Sequence, residues 1–475
     1  MNKKRQTIYI LQLIWVLILI AVSLWAMDLC PIWNGVIPNH RDQYEKIAEA
    51  LLKGQLHFDY DVEEYLLNME NPYDPDEREK IGVDVHWDHA YYNGHYYMYF
   101  GIVPVLMLFI PFRVLFGRPL LTFHATQFYT AFIIFGFFFL LRFLKDKFYP
   151  KMNEFLLTAL ITAFSLASIW YFVEAPALYC TAISSAVCMM IWSLFFYFSA
   201  VFTNITLNKK ILLAAAGALC GALCFGCRPT VAAANFVAVP LFIIFLAKNK
   251  IPSKEKYKLI FIFLPYIIIG IALMLYNYAR FDNPFEFGQS YQMTFYDQKD
   301  ISSLSNLNLK NLVKGLGAIF FDCQKPSSEF PYINFGCIFF EFPIFLIGFP
   351  LGLLFEPVRA QLKKNKLFYV YISTVAVLFV IAVLEIVMSP IILERYHADF
   401  YFLMGIQTFI IIGSICQRTT GTPQKFLTIV FIVLSITTSV RAVLLFFVPN
   451  DLNYTQYYGQ FLDELRLKIN QILPF

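Results

Sequence analysis

Charged side chains are scarce in this sequence. Only 15% of its 475 residues are Asp, Glu, Lys or Arg, whereas a soluble globular protein carries roughly 25%. Hydrophobic residues make up 59% of the chain, and the mean hydropathy is +0.59. This composition excludes a soluble globular domain and indicates a protein of the lipid bilayer. The formal net charge is only +4, and we expect no nucleic-acid partner.

Cysteines with the spacing of a metal site or a disulfide framework are also scarce. Of the nine cysteines only Cys224 and Cys227 have a CxxC spacing, and most of the nine fall inside apolar segments, where they act as small hydrophobes. The sequence therefore predicts neither a cysteine metal site nor a disulfide framework, and it leaves open a single disulfide between Cys30 and Cys323 on one side of the membrane. It also has no soluble domain, no low-complexity tract and no convincing internal repeat.

Apolar runs of about 20 residues, the length of a helix that crosses a ~30 Å hydrocarbon layer, recur along the whole chain. Lys3, Lys4 and Arg5 precede the first run, about 8–27, which lacks a small-residue cleavage site and is predicted to be a retained span with a cytoplasmic N-terminus. We expect an all-α polytopic membrane protein with about eleven transmembrane helices. After the first, the predicted spans are 120–142, 154–172, 180–202, 210–226, 229–247, 258–279, 336–356, 367–389, 398–416 and 426–447.

Residues 98–117 are apolar enough to span, yet they contain Pro104, Pro111 and two glycines. The distribution of lysine and arginine decides between the two topologies. If this stretch enters the membrane and returns, every later basic cluster lies on the cytoplasmic side, as the positive-inside rule requires. If it spans, all of them move outside. We therefore predict a re-entrant or interfacial segment. The clusters concerned are 142–151, 209–210, 248–258, 359–366 and 418–425.

These predictions divide the chain into six parts. They are the N-terminal tail with the first helix (1–27), a long external acidic loop (28–119), a transmembrane bundle (120–279), a second external loop (280–335), a second transmembrane bundle (336–449) and an external C-terminal tail (450–475).

The first external loop concentrates the polar residues of the chain. Its stretch 39–101 holds fourteen of the 33 acidic residues against five basic ones. A short amphipathic helix that lies along the membrane surface and stops at Gly54 is predicted from one apolar stripe. The stripe consists of Tyr44, Ile47, Ala48, Leu51 and Leu52.

Several further polar features fall on the same, external side under this topology. Charged groups at the ends of helices in an apolar protein usually face a cavity or a partner, so their convergence predicts a single functional site there. Besides the first loop, they are Glu174 with Tyr179, Arg228 in GCRPT, the stretch YNYARFDNPFEFGQSYQ (276–292) and ERYHADF (394–400).

The spacing D-Q-Y-(3)-A-(2)-L-L-(1)-G, from Asp42 to Gly54, resembles the first-loop signature of the GT-C superfamily of integral-membrane glycosyltransferases. It is similar to the branch of protein O-mannosyltransferases and aminoarabinose transferases. The stretch 91–117, which ends in Phe-Gly, resembles the segment that follows in that family, and RFDNPFEFG and ERYHADF resemble segments of bacterial relatives. The family motif usually begins Asp-Glu, whereas this chain has Gln43 at the second position.

The resemblance implies transfer of a sugar from a polyprenyl-phosphate donor to a cell-envelope acceptor on the external face of the cell membrane, by an inverting mechanism. Asp42 is the candidate base for the acceptor hydroxyl, although an acid in the first turn of a helix also favours the helix dipole. Arg395, with Arg228 and Arg280 behind it, is the candidate ligand of the donor phosphate.

Each arginine also has a structural interpretation. Arg395 can pair with Glu394 or Asp399, and Arg228 and Arg280 can be snorkelling residues at helix ends.

One cluster has metal-ligand chemistry. Asp84 and His86, with Asp88 and His89, combine carboxylates and imidazoles within six residues, which suits a divalent cation such as Mg²⁺ or Mn²⁺; a solvated loop is the alternative. Asp88 and His89 are also candidate substrate-binding residues. The remaining candidates for substrate binding are Trp87, Tyr91 and Tyr92, which can stack on a sugar or anchor the loop at the interface, and Glu286.

Two other functions stay open. A lipid-linked sugar transporter or flippase is expected to carry charges deep in several spans and inverted repeats, whereas only Glu385 and Arg441 lie well inside apolar runs. A catalytically inactive membrane scaffold would explain Gln43. The sequence leaves the acceptor open among teichoic acid, rhamnose polysaccharide, another glycan and a protein.

Overall fold

The computed structural model describes residues 3–28, 42–176, 178–249, 251–301, 308–321, 325–328, 330–349, 354–389, 393–448 and 460–472. Within these residues, nine helices are long and apolar enough to cross a membrane. The protein is therefore an all-α polytopic membrane protein, as predicted, and the full count of eleven spans stays a prediction. The nine segments are Lys3–Met27, Thr122–Phe148, Glu154–Glu174, Leu178–Phe202, Leu207–Phe225, Pro229–Asn249, Ser253–Phe281, Phe368–Met388 and Gly421–Leu445.

The elements follow one another in a mostly helical order. Before the first bundle come α1 (Lys3–Asp28), α2 (Gln43–Leu52), α3 (Glu64–Asn68), α4 (Pro75–Ile81), the hairpin strands β1 (Ala90–Tyr92) and β2 (His95–Tyr97), and α5 (Ile110–Phe116). The first bundle contains α6 (Thr122–Phe148), α7 (Glu154–Glu174), α8 (Leu178–Phe202), α9 (Leu207–Phe225), α10 (Pro229–Ala232), α11 (Ala238–Asn249) and α12 (Ile260–Phe281).

The second half is more broken. It contains α13 (Gln298–Ile301), α14 (Leu309–Phe320), α15 (Ile338–Glu341), α16 (Phe345–Gly348), α17 (Glu356–Lys364), α18 (Phe368–Met388), α19 (Glu394–His397), α20 (Tyr401–Arg418), α21 (Gly421–Leu445) and α22 (Gln460–Ile472). Nearly every side chain of α7, α8 and α20 is buried, so these helices form the centre of the molecule. α12 lies at the edge, with four buried residues.

The segment 336–356 differs from the prediction of one continuous helix. The two short helices α15 and α16 occupy its described part, because Pro343 has no backbone N–H to continue the first of them. The carbonyl of Gly348 at the end of α16 accepts hydrogen bonds from the Tyr371 hydroxyl, at 2.9 Å, and from Gln407 Nε2, at 2.5 Å. Non-helical backbone inside a membrane protein is tolerated where neighbouring side chains satisfy it in this way.

The stretch 98–117 contains a short apolar helix, Val105–Phe116, which begins with the π-helical turn Val105–Phe109 and continues as α5. At 1.5 Å per residue such a helix is about 18 Å long, too short to cross a hydrocarbon layer of ~30 Å. The re-entrant or interfacial placement of this segment stays a prediction. The ring of Tyr44 in α2 stacks on Phe109, with ring centroids 5.3 Å apart, so the amphipathic helix packs its apolar stripe on this segment.

Residues 42–101 and 282–301 form a layer that we call the cap. Backbone hydrogen bonds join its two parts, from Asp88 N to Met293 O at 3.1 Å and from Met293 N to His89 O at 2.9 Å. Buried Arg78 of α4 donates to the carbonyl of Thr294 at 2.5 Å. The two loops, about 200 residues apart in the sequence, therefore fold as one unit.

The cap is fixed to one end of the bundle. Gly101 packs directly on the carbonyls of Gly226 and Cys227, where a Cβ atom would overlap them, and Val103 N donates to Gly226 O at 2.8 Å. Glu45 of α2 accepts hydrogen bonds from the backbone N–H and from the hydroxyl of Thr122, the latter at 2.7 Å, and so satisfies the start of α6.

The opposite end of the bundle holds a charged network that we call the Glu154 cluster. Glu154 at the start of α7 is paired with Arg142, at 2.6 Å, and with Lys145. Asp146 is paired with Arg142 at 3.1 Å and with Arg5 of α1 at 2.8 Å. The side-chain oxygen of Gln12 accepts from Arg142 at 2.9 Å.

Candidate functional site

A cavity of about 330 Å³ lies where the cap meets the bundle, and we call it the site cavity. Its walls come from the cap, from the start of α8, from the turn between α9 and α10, from the last turns of α12 and α18, and from α19. All three arginines that the sequence nominated for a phosphate line this one cavity. The charged residues of its lining are Asp88, Arg228, Arg280, Glu385 and Arg395.

Arg228, just before α10, is held by two buried carboxylates. Its Nε donates to both oxygens of Asp399, at 2.8 and 2.6 Å, and its Nη2 donates to Glu385 at 3.4 Å. The hydroxyl of Thr230 donates to the same Asp399 carboxylate at 2.9 Å. Arg228 is thus part of a buried ion-pair network that joins the start of α10, α18 and the turn between α19 and α20, and it does not snorkel.

Arg280 is also committed to protein groups. Its Nη1 donates to the backbone carbonyl of Met98 at 2.7 Å, and its Nη2 donates to Asn277 at 2.8 Å. The guanidinium stacks on the ring of Tyr276 at 3.9 Å. These contacts tie the end of the cap hairpin to the last turn of α12, which is a structural role at the cavity wall.

Arg395 of α19 differs from the other two arginines. Its guanidinium lies over the ring of Tyr179, at 4.1 Å, and beside the ring of Tyr396, at 5.5 Å. Among the described residues it has no hydrogen-bond or ion-pair partner, and Asp399 is occupied by Arg228. Burial opposes its charge, but the neighbouring phenols and the Asp88 carboxylate outweigh that effect and raise the pKa of Arg395.

Asp88 is the carboxylate of the cap that faces the site cavity. Its backbone has a φ of +57°, a left-handed conformation that Asp and Asn adopt more readily than other side chains. The hydroxyl of Tyr179 donates to Oδ2, and Gln292 Nε2 donates to Oδ1 at 2.8 Å. Tyr179 therefore contacts both Asp88 and Arg395, and it joins the carboxylate and the guanidinium across the cavity.

Gln43 lies directly behind this carboxylate. It is fully buried, and its Nε2 donates to the backbone carbonyl of Asp88 at 3.1 Å. The residue that departs from the family motif therefore holds the backbone of the carboxylate that faces the cavity.

Asp42, the predicted base, does not line the site cavity. It precedes α2 without capping it through its side chain, and one of its oxygens lies 3.3 Å from Lys46 Nζ. The side chain of Asp42 therefore does not cap α2. The catalytic role of Asp42 stays a prediction.

The predicted substrate-binding residues separate into two groups. Asp88 and Trp87 line the site cavity, and the ring of Trp87 lies 4.1 Å from that of Phe295. The other four members lie outside the cavity lining. Tyr91 packs on Tyr96, Tyr92 donates to Asp282 at 3.2 Å, Glu286 accepts from Gly288 N at 2.7 Å, and His89 is buried with its Nδ1 2.8 Å from the Trp87 carbonyl.

The predicted metal ligands Asp84 and His86 are not arranged as a metal site. The ring of His86 stacks on Tyr60 at 4.0 Å, and burial together with the charge of Lys46 lowers the pKa of this histidine. In the described parts of the chain, no group of three or more His, Cys, Asp or Glu side chains is arranged to hold a metal ion, including the set around Asp84 and His86. A requirement for Mg²⁺ or Mn²⁺ stays a prediction without a ligand set.

Several residues of the site were not among the candidates predicted from the sequence. Gln289 and Gln292 lie within the polar stretch 276–292, but nothing in their spacing distinguishes them from their neighbours. Thr294, Phe295 and Tyr296 follow it without any motif, and they reach the site cavity because the backbone at residues 292–293 pairs with residues 88–90.

The chain matches no protein-family model, no curated protein and no solved structure. The resemblance to GT-C glycosyltransferases therefore stays an expectation drawn from short motifs.

Proposed function

We propose that this protein is a membrane glycosyltransferase of the GT-C type, which moves a sugar from a polyprenyl-phosphate donor to a cell-envelope acceptor with inversion. One observation carries the proposal. In the site cavity, an arginine without a partner among the described residues, Arg395, faces a positioned carboxylate, Asp88, and both contact Tyr179.

The donor side of the cavity suits a lipid phosphate. The phosphate leaves with the electron pair of the broken C–O bond, and the guanidinium fork of Arg395 stabilises the charge that develops on it. The same cavity also contains apolar side chains from the bundle, which suit the first isoprene units of the lipid. They are Phe225, Leu273, Met388 and Leu393.

The acceptor side places a base opposite the phosphate. The acceptor hydroxyl attacks the anomeric carbon, and its proton passes to the carboxylate of Asp88. Hydrogen bonds from Tyr179 and Gln292 orient that carboxylate, while Gln43 fixes its backbone. A single base and a single displacement give inversion at the anomeric carbon. In this proposal Asp88 takes the role that the sequence motif suggested for Asp42.

The location of the reaction follows from the side on which the cavity opens. Lysine and arginine placement predicts that the cap is external and the N-terminus cytoplasmic. Cys337, just before α15, is disulfide-bonded, and disulfides persist in oxidising compartments. Gly336 donates to Glu341, which accepts from Tyr401, six residues after Arg395, so this disulfide supports an external position for α19 and the cavity.

The test compares envelope glycans, by mass spectrometry, from cells that contain the wild-type protein, no protein or the Asp88→Asn variant at equal membrane level. We expect the wild type alone to add one sugar decoration. Identical glycans in all three strains would contradict the proposal.

A lipid-linked sugar flippase is the second candidate. It is favoured by the buried charges Arg228, Glu385 and Asp399 beside the cavity, because membrane transporters place charges along a conduit. Purified protein in liposomes separates the two functions, since a flippase moves the donor between leaflets without consuming it. A catalytically inactive scaffold would do neither.

A further inference from the structure

Aromatic and amide side chains of the cap surround the mouth of the site cavity. Phe295, Tyr296 and Phe287 line the cavity and are also exposed, by 72%, 46% and 41%. Residues that belong both to the lining and to the surface mark where a second substrate enters. We call this surface the acceptor rim, and it consists of Trp87, Phe287, Gln289, Phe295, Tyr296 and Gln298.

The acceptor rim is held in place from behind. The hydroxyl of Thr294 donates to the carbonyl of Tyr296 at 2.9 Å and accepts from Gln298 Nε2 at 3.0 Å. Arg78 fixes the carbonyl of Thr294 at 2.5 Å. An exposed aromatic surface that is rigid before binding loses little conformational entropy when a ligand covers it.

The chemistry of the rim suits sugar rings. Aromatic faces carry a partial negative charge, which attracts the C–H groups on the apolar face of a pyranose. Sugar hydroxyls both donate and accept hydrogen bonds, and a glutamine amide does the same. The amide of Gln289 has no partner in the described part of the chain. Its NH₂ donor and its carbonyl acceptor are therefore both available to a ligand.

The charge around the rim selects against an anionic polymer. None of the six rim residues is basic, and the adjoining stretch 39–101 carries fourteen acidic against five basic residues. A teichoic-acid chain with a phosphate in every repeat would be repelled by this field. A neutral glycan is not.

We propose that the acceptor rim binds an uncharged glycan chain, which is the acceptor whose hydroxyl is presented to Asp88. This inference rests on the proposed function and deepens it by naming the class of acceptor. Its test measures binding without the donor, so that it can fail or succeed independently of sugar transfer.

The experiment is calorimetric titration of the purified protein in detergent with four probes. They are maltohexaose, chitohexaose, a rhamnose hexasaccharide and a glycerol-phosphate hexamer. We expect at least one neutral hexasaccharide to bind and the glycerol-phosphate hexamer not to bind. Phe295→Ala should weaken that binding about tenfold, the effect of losing ~1.4 kcal/mol of ring contact.

Phe285→Ala is the matched control, because Phe285 is 73% exposed in the same segment but does not line the cavity. Its binding constant should equal that of the wild type. The proposal is overturned if no neutral probe binds, if the glycerol-phosphate hexamer binds more tightly, or if the two phenylalanine variants behave alike. If a neutral probe binds but no sugar is transferred, the proposed function fails while the glycan site stands.

Discussion

Arg395 at the cavity end of the helix bundle differs from the buried cations at the opposite end. In the Glu154 cluster, Arg142 and Lys145 each contact a carboxylate. In the site cavity, Arg395 is stacked on an aromatic ring and has no carboxylate or hydrogen-bond partner among the described residues. A paired cation contributes to the fold, whereas a positioned cation beside a cavity is available to an anionic ligand. Burial alone therefore does not distinguish a structural arginine from a binding one.

The largest effect is expected for Asp88→Asn. Asparagine keeps the left-handed backbone and can still accept from Gln292, so the fold should be preserved. It cannot take a proton, and turnover should fall about 10²-fold or more. The measurement is the initial rate of sugar transfer from a polyprenyl-phosphate donor by purified protein.

Asp42→Asn is the control for that experiment. Because Asp42 lies outside the cavity lining and contacts Lys46, we expect its rate to stay within about threefold of the wild type, less than the effect of a lost general base. If Asp42→Asn loses activity and Asp88→Asn keeps it, the motif from the sequence identified the base correctly and our assignment fails.

Arg142→Gln should affect stability and leave chemistry intact. The change removes one partner from Glu154 and one from Asp146, both of which still contact Lys145, and we expect the loss of these charged hydrogen bonds to destabilise the protein by about 2 kcal/mol. Thermal unfolding in detergent measures this loss, and turnover per folded molecule should not change. Arg5→Gln removes an exposed partner of the same Asp146, and we expect an effect below about 1 kcal/mol. Equal melting temperatures for both variants would refute the structural role.

Glu45 is a buried carboxylate of the cap that, unlike Glu154, has no basic partner within the described residues. Burial raises its pKa to about 7, against the hydrogen bonds from Thr122. The folded protein therefore keeps this proton between pH 4.5 and 7 while the unfolded chain releases it. Protonated Glu45 therefore contributes fully to the free energy of unfolding below pH 4.5, and this contribution is lost as the pH rises through 7.

Glu45→Gln tests this difference, because glutamine keeps an oxygen for the N–H of Thr122 and does not titrate. The gap in unfolding free energy between variant and wild type should widen by up to about 3 kcal/mol from pH 4.5 to pH 8. A gap that stays constant with pH would show that Glu45 titrates normally.

Among the variants that are not controls, the smallest effect is expected for Arg395→Lys. Lysine keeps the positive charge in the cavity but loses the two-pronged geometry, so kcat/KM for the donor should fall about tenfold, or ~1.4 kcal/mol. Arg118→Lys is the control, because Arg118 is exposed and outside the cavity lining. Unchanged donor kinetics in Arg395→Lys would exclude a bidentate contact with phosphate.

Much of the scaffold was predictable from the sequence, because the length of an apolar run and the placement of lysine and arginine are local properties. The convergence of Arg228, Arg280 and Arg395 on one cavity followed from the predicted topology. Their different partners did not, since Asp399, Met98 and Tyr179 reach them from distant parts of the chain.

The exceptions have physical causes. The break between α15 and α16 could not be recognised in the apolar sequence. The groups that satisfy the Gly348 carbonyl come from α18 and α20, which are distant in the chain. The choice between Asp42 and Asp88 depends on which carboxylate turns toward the cavity. The left-handed backbone of Asp88 and the hydrogen bond from buried Gln43 decide that orientation. A pattern of residue types shows neither the backbone conformation nor the hydrogen bond.

The close contact of Gly101 with Gly226 also has a consequence for biosynthesis. The cap cannot dock before the ribosome has made the end of α9, and its second half must wait for residue 292, about 190 residues after Gly101. At 5–20 residues per second, that delay is roughly 10 to 40 seconds. During this interval the first loop lacks the surface on which it folds, which makes it a substrate for chaperones and proteases on the side of the membrane where it emerges.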